Sequence, residues 1–288
     1  MRKNRKKNGY QGLLFLLPSL LGVGIFVLTP YLDVVRRSFT SAIGQNFTGL
    51  ENYRKIFENT AFQLACSNTL RFVAVCIPLL LLLSLLLALL LQRLGKKGQW
   101  FKQCFLFPMA IPVASVVLLW RILFDRHGMV NALLNDVGFA GRDWMNSSSA
   151  FGVLVFSYIW KNLGYDIVLM LAGLSSISTD IYEAARVDGA GEWRIFHSIT
   201  LPNLLPSLYT ITVLSLLNSF KVFREAYLVA GNYPDDSMYL LQHLFNNWFR
   251  ELSMDKMAAG AVVMTLVIFL VVLILTKTWG KEGHGDGT

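Results

Sequence analysis

Six long apolar stretches run through this chain, and they limit it to folds that pair every backbone polar group inside a lipid bilayer. Each stretch has about the 20 residues that a helix needs to cross a hydrocarbon core of about 30 Å. The stretches are Tyr10–Pro30, Thr69–Leu91, Phe101–Phe124, Ala150–Leu174, Leu204–Ala230 and Met257–Thr276. Because helices satisfy their own backbone in lipid, we predict an all-α membrane protein with six transmembrane helices.

The composition supports a membrane protein over a soluble one. Hydrophobic residues make up 54% of the chain and charged residues 15%, whereas a soluble domain has about a quarter charged residues. The net charge of +8 is too small and too dispersed to indicate a nucleic-acid-binding surface. We therefore expect contact with membrane lipid and none with nucleic acid.

The distribution of Lys and Arg predicts the orientation. Residues 2–7 contain five basic residues, and the loop after the second span contains Arg93, Lys96, Lys97 and Lys102. Basic loops stay in the cytoplasm, so both termini and the loop 175–203 should be cytoplasmic. The stretches 33–68, 125–149 and 231–256 should then face outward.

This orientation gives a division of the chain. We expect a basic cytoplasmic N-terminus at 1–9, followed by the first transmembrane helix and an outer loop at 10–68. A transmembrane core at 69–276 should contain the cytoplasmic loop 175–203, and residues 277–288 should form a cytoplasmic tail. The first apolar stretch is longer than that of a cleaved signal peptide, and no small-x-small cleavage site follows Pro30.

The loop between the fourth and fifth spans predicts two short helices. Thr179 or Asp180 should cap the first helix, and Gly189 should end it, because glycine accepts the left-handed conformation at that position. A second helix should run over 192–200, and Pro202 should stop it before the fifth span begins.

The residues of this loop resemble the EAA loop of binding-protein-dependent ABC importer permeases. The match consists of Glu-Ala-Ala, three residues, then Gly, with Ile-Thr-Leu-Pro further on. Its elements are Glu183-Ala184-Ala185, Asp188-Gly189-Ala190-Gly191 and Ile199-Thr200-Leu201-Pro202. Within that group the chain most resembles the carbohydrate importers typified by the maltose and glycerol-phosphate permeases.

The resemblance implies a fold and a set of partners. The family has a five-helix permease core, here with one N-terminal helix added, in the bacterial cytoplasmic membrane. It implies that Glu183–Gly191 dock on an ABC ATPase dimer that binds ATP and Mg, since this chain has no G-x-x-x-x-G-K-[ST] sequence of its own. It also implies a second, related permease chain and an extracytoplasmic solute-binding protein, with a mono- or oligosaccharide moved inward.

Polar residues within the spans are candidates for the substrate pathway. Lys161 and Asp166 lie inside the fourth span, where charges are costly and usually face a cavity or a partner. In the family this segment and the middle of the fifth span line the route. The candidates carried over are Leu163, Gly164, Asp166, Ser215 and Asn218. For Gly164 and Asn218, helix packing and an interhelical hydrogen bond remain alternatives.

Two other functions remain open from the sequence. The same importer architecture would also serve a non-sugar cargo such as a phosphorylated polyol, an amino acid or a peptide. An ion-coupled secondary transporter would instead use Lys161 and Asp166 as its coupling groups. Neither a catalytic residue nor a metal site is predicted, so we expect no enzyme activity in this chain.

Overall fold

A computed structural model describes residues 4–43, 46–95 and 98–279, and these residues fold into α-helices joined by short loops. The helices are α1 Asn4–Val23, α2 Thr29–Ser38, α3 Glu51–Glu58, α4 Thr60–Arg93, α5 Gly98–Ala110, α6 Val113–Phe124, α7 Met129–Asp136, α8 Ala150–Ser175, α9 Thr179–Val187, α10 Glu192–Ile195, α11 Leu201–Ser219, α12 Phe223–Ala230, α13 Leu241–Arg250 and α14 Met254–Trp279. The predicted all-α fold is confirmed.

Five helical segments of the described chain are long and apolar enough to cross a membrane, and a bent pair of helices adds a sixth if it is counted as one span. The five are Leu14–Ser38, Thr60–Arg93, Ala150–Ser175, Glu192–Tyr227 and Met254–Thr278. Each overlaps a stretch predicted from hydropathy. The largest difference is in the fifth, which begins at Glu192 instead of Leu204.

The third predicted span, Phe101–Phe124, is not one bent helix. It is broken into Trp100–Ala110 and Val113–Asp136, whose axes differ by 94°. Pro112 causes the break, because its ring disfavours a helical conformation at Ile111 and it has no N–H to donate. Pro112 is itself extended and precedes the first turn of α6.

The chain divides into two compact units. The smaller contains the described residues up to Thr60 together with Phe245–Ile268, and the larger contains Ala61–Leu244 together with the described residues from Phe269 onward. Residues 1–3 and 280–288 of the predicted terminal segments lie outside the described residues, as do Lys96 and Lys97 of the basic loop.

In the smaller unit a continuous helical segment, α1 to α2, is followed by a loop and by α3, which is hydrogen-bonded to the end of α2. A π turn, Gly24–Leu28, joins α1 to α2, and the apolar side chains from Leu14 to Leu28 are exposed, as expected for a lipid-facing helix. The buried Asn52 side chain donates hydrogen bonds to the carbonyls of Ser38 (3.0 Å) and Thr40 (2.8 Å). These bonds attach α3 to the end of α2.

In the larger unit α8 packs against α5 and α11. One apolar cluster contains Phe72 and Tyr158, whose rings meet edge to face at 5.4 Å. A second contains Met170, Leu204 and Ile211. Burial of Met170, Leu204 and Ile211 against one another holds the fourth and fifth spans side by side.

Candidate functional site

The loop after α8 forms the predicted first helix, with its cap one residue earlier than expected. Ser178 is the N-cap, and its side-chain oxygen accepts a hydrogen bond from the N–H of Asp180 at 3.2 Å. The prediction of Thr179 or Asp180 as the cap is therefore wrong. Ser178 has the extended backbone of a cap (φ −60°, ψ 135°), whereas the next two residues are already helical.

The end of α9 has the predicted glycine geometry. Gly189 has φ +77°, the left-handed conformation for which glycine is favoured. The N–H of Ala190 donates to the carbonyl of Ala185 (2.9 Å), and the N–H of Gly189 donates to that of Arg186 (3.0 Å). This pair of bonds is the Schellman motif, and it turns the chain sharply into α10.

The second helix does not stop at Pro202. From Glu192 the chain remains helical through α10, a π turn at Phe196–Thr200 and α11. In the π turn the N–H of Leu201 donates to the carbonyl of Phe196, five residues back. This wider turn relieves the clash that a proline ring makes with the preceding turn of an α-helix, so the second half of the loop 175–203 and the fifth span form one continuous helical segment.

Glu192 ties the loop to the end of the second span, a role that the sequence pattern did not reveal. One carboxylate oxygen pairs with Arg93 at 3.2 Å, and the other lies 3.6 Å from Arg186. Both pairs are exposed, so water screens them and they contribute orientation more than stability. Tyr182 and Thr200 add a hydroxyl hydrogen bond of 3.2 Å between the two halves of the loop.

The predicted coupling residues share a solvent-facing surface. Glu183, Ala184, Asp188, Gly189 and Gly191 are exposed, and Ala185 and Ala190 are half-buried. Glu183 borders a cleft of about 560 Å³ that Leu86, Trp193 and Phe196 also line. Among the described residues Glu183 has no ion-pair partner, because Arg186 pairs with Glu192 instead.

The two charges inside the fourth span do not pair with each other. Lys161 donates to Glu225 at 2.8 Å, and both side chains are largely buried (17% and 10% exposed). Asp166 is buried and accepts a hydrogen bond from Ser215 at 2.8 Å. Five residues separate Lys161 from Asp166, so they lie on different faces of α8. Each therefore meets a partner on the fifth span.

Gly164 and Leu163 pack against other helices. A Cβ on Gly164 would overlap the carbonyl of Phe105 and lie 2.8 Å from the N of Leu106, so Gly164 allows α5 to contact α8 backbone to backbone. Leu163 packs against the apolar cluster around Tyr158. These observations favour packing for both residues, the alternative that the sequence left open for Gly164.

Asn218 lines a cavity of about 180 Å³. Its side-chain oxygen accepts a hydrogen bond from Lys221 at 2.7 Å. Lys161, Glu225 and Arg224 also line this cavity, whereas Asp166 and Ser215 do not. The structure thus separates the five predicted pathway residues into a packed pair, a buried hydrogen-bonded pair and one residue that faces a cavity.

No group of three or more metal-ligating side chains is found among the described residues. The described structure contains several helices long and apolar enough to cross a membrane, an exposed two-helix loop and a polar cavity between helices. Together they define an integral membrane protein.

The particular family follows from comparison with known proteins. Residues 80–280 match the family described as binding-protein-dependent transport system inner membrane component, and the chain belongs to it. The resemblance to ABC importer permeases is confirmed. The ion-coupled secondary transporter is thereby set aside, and the chain is a membrane-spanning component of a transport system.

Several relatives match almost the whole chain. The sulfoquinovosyl glycerol transport system permease protein of Agrobacterium fabrum is 32% identical, over 92% of this chain and 89% of the relative. The arabinooligosaccharides transport system permease protein of Bacillus subtilis is 31% identical, over 94% and 90%. The trehalose/maltose transport system permease protein of Thermococcus litoralis is 29% identical, over 95% and 93%.

The fold also matches a solved structure. A chain of a bacterial ABC transporter involved in the import of the acidic polysaccharide alginate superposes with a TM-score of 0.82, at 22% identity, over 96% of this chain and 98% of that chain. The similarity extends over nearly the whole chain and supports the all-α fold.

Proposed function

We propose that this chain is one permease subunit of an ABC importer that moves a mono- or oligosaccharide into a bacterial cell. The observation that carries the proposal is the set of relatives, about 30% identical over more than nine-tenths of the chain, whose names specify saccharide transport. The chain binds no nucleotide and performs no chemistry. ATP and Mg are bound by a separate ATPase dimer.

The loop Glu183–Gly191 is the proposed dock for that ATPase. Its small residues allow close approach, and the carboxylate of Glu183, which has no ion-pair partner among the described residues, offers a charge to a basic group. The Schellman turn and the continuous helix from Glu192 into the fifth span support a coupling role. A displacement of the loop would act directly on the fifth span, because no flexible linker separates them.

The proposed orientation places this loop and both termini in the cytoplasm. The basic residues before the first span and after the second support it. The outward segments would then face the solute-binding protein. One of them is internally braced, since Asn131 exchanges hydrogen bonds with the backbone of Arg142 (2.7 and 3.0 Å) and accepts one from Trp144 (2.8 Å).

A second permease chain, related to this one but different, would complete the pore. This partner follows from the family resemblance. Co-purification of the complex from its native membrane, followed by mass spectrometry of the subunits, tests it. Two different permease chains in equal amounts are expected, and a pore made of two copies of this chain would overturn this part of the proposal.

Uptake by the reconstituted importer tests the proposed cargo. Proteoliposomes with both permeases, the ATPase and the binding protein should accumulate labelled saccharides only with ATP. Glycerol 3-phosphate, an amino acid mixture and a peptide mixture serve as competing cargoes. Import of one of these without any saccharide would refute the sugar assignment. Uptake without ATP under an ion gradient would refute the importer class.

A further inference from the structure

The cavity beside Asn218 has an unusual charge for its position in the spans. Its walls carry the side chains of Lys161, Lys221, Arg224 and Glu225, three cations against one carboxylate. The segment Glu192–Tyr227, from which three of them come, is apolar enough to cross a membrane. Charged groups at such positions are costly unless they face a cavity or a partner, so they indicate function.

Only one of the three cations is neutralised within the described residues. Lys161 pairs with Glu225 at 2.8 Å. Lys221 contacts the neutral amide oxygen of Asn218 at 2.7 Å, and neither Lys221 nor Arg224 forms an ion pair with a described residue. Both are exposed at the cavity wall. Two positive charges are therefore available to an anion in the cavity.

Glu225 provides the second observation. The residue is 8% exposed, and its Oε2 atom is buried without a hydrogen-bond partner in the described structure. An unpaired buried acceptor loses about 1–3 kcal/mol, and more when it is charged. Oε2 of Glu225 thus lacks a hydrogen-bond donor, and Lys221 and Arg224 lack an anion, among the described residues.

We propose that this cavity binds an anionic saccharide, with its acidic group held by Lys221 and Arg224 and a ring hydroxyl donating to Glu225. One such ligand supplies both the hydrogen-bond donor for Glu225 and the anion for Lys221 and Arg224. A neutral sugar would leave the two cations without a counter-ion, and an inorganic anion would leave Glu225 without a donor. The cargo class follows: this assignment rests on the proposed function and narrows it to acidic sugars.

The size of the cavity limits what it encloses. Its volume of about 180 Å³ is smaller than the roughly 300–1,000 Å³ of pockets that enclose drug-sized ligands. It accommodates one sugar ring with its acidic group. A longer oligosaccharide would extend beyond the cavity into the pore, so the charged ring is the part that this chain recognises.

The test compares matched acidic and neutral cargoes in the complete reconstituted importer. The acidic probes are partial hydrolysates of a uronic-acid polysaccharide and of a sulfated galactan. The neutral probes are their carboxyl-reduced and desulfated counterparts. The two acidic probes distinguish a carboxylate from a sulfate. Wild-type importer should transport at least one acidic probe roughly tenfold faster than its neutral counterpart, since a charge-assisted contact provides about 1.5–3 kcal/mol.

Variants that remove charges test whether Lys221 and Arg224 cause the preference for acidic cargo. Lys221→Gln with Arg224→Gln should slow import of the acidic probe by about tenfold or more and leave the neutral probe within about twofold. Lys221→Arg with Arg224→Lys, which keeps both charges, should retain the preference. Lys102→Gln with Lys277→Gln removes two charges that lie outside both the cavity and the outward segments, and it should change neither rate.

Each other result overturns the proposal. If wild type transports acidic and neutral probes equally, or prefers the neutral ones, the anion site fails while the sugar importer stands. If the Lys221→Gln, Arg224→Gln variant slows both probes equally or changes nothing, the two cations pair with another subunit and do not select cargo. If an assembled, ATP-hydrolysing complex imports no saccharide from any mixture, the proposed function fails as well.

Discussion

Gly164 allows the closest backbone contact between α5 and α8, and Gly164→Ala tests whether that contact is its role. The added Cβ would overlap the carbonyl of Phe105 and lie 2.8 Å from the N of Leu106. Both groups belong to the backbone of α5, so no side-chain rotation relieves the overlap. One of the two helices must shift.

The destabilisation expected for Gly164→Ala depends on which atoms the added Cβ overlaps. Overpacking a well-packed interior costs about 1–3 kcal/mol, and contact with rigid backbone predicts the upper part of that range. The favourable helix propensity of alanine offsets at most about 1 kcal/mol. A net destabilisation of roughly 1–2 kcal/mol is expected from these two contributions.

Gly152→Ala is the matched control. Gly152 lies on the same helix, and a Cβ built there meets nothing within 4 Å. The midpoint of thermal unfolding of the purified complex, followed by size-exclusion fluorescence, should fall for Gly164→Ala and stay equal or rise slightly for Gly152→Ala.

A different pattern would refute the packing argument. If Gly164→Ala keeps the wild-type unfolding temperature but alters the apparent affinity or the rate of cargo import, the glycine faces the pathway as the sequence resemblance implied. Equal unfolding temperatures for both variants with unchanged import would show that α5 and α8 do not meet at this backbone contact.

Four further predictions concern the loop, the cavity and α13. Glu183→Lys should leave the protein in the membrane but lower its ATPase association and transport, measured by co-purification and uptake; normal values for both would contradict the docking role. Glu192→Gln should leave the unfolding temperature unchanged, because its ion pairs are exposed, yet reduce transport per ATP hydrolysed; an unchanged ratio would remove it from coupling. Asn218→Ala should change cargo affinity or rate, whereas loss of expression alone would indicate an interhelical hydrogen bond. His243 is fully buried in α13, and burial lowers the pKa of its imidazole from 6.5 to about 4; the unfolded chain therefore binds a proton that the folded chain does not, and stability should fall by up to about 3 kcal/mol as the pH decreases from about 6.5 to 4. The unfolding temperature should therefore depend less on pH in His243→Gln than in wild type. An equal pH dependence in the two proteins would contradict this assignment.

Much of the fold was predictable, because the local composition of a segment shows whether it is apolar enough to cross a membrane. The lengths of the apolar stretches indicated six spans, and the Gly189 turn followed from the one residue type that favours positive φ. The break at Pro112 was harder to predict. Pro18, Pro78 and Pro206 stand inside continuous helices, and neighbouring helices decide whether a proline bends a span or divides it.

The candidate site was predictable only in its outline. The sequence placed Glu183 on an exposed loop and Asn218 within a span, and both positions agree with the structure. The partners of charged residues were not predictable, because they are distant along the chain. Lys161 pairs with Glu225 across 64 residues, and Arg93 pairs with Glu192 across 99.

The sequence by itself determined the class of protein: long apolar segments require a bilayer, and the Glu-Ala-Ala loop carries the family resemblance. Only the tertiary structure decided which polar residues face a cavity and which are satisfied by packing. Asp166 and Lys161 both lie within the fourth span, yet Asp166 accepts a hydrogen bond from Ser215 away from the cavity and Lys161 lines the cavity. The physical reason is helical geometry: residues five positions apart point in different directions, and the neighbouring helix determines what each one meets.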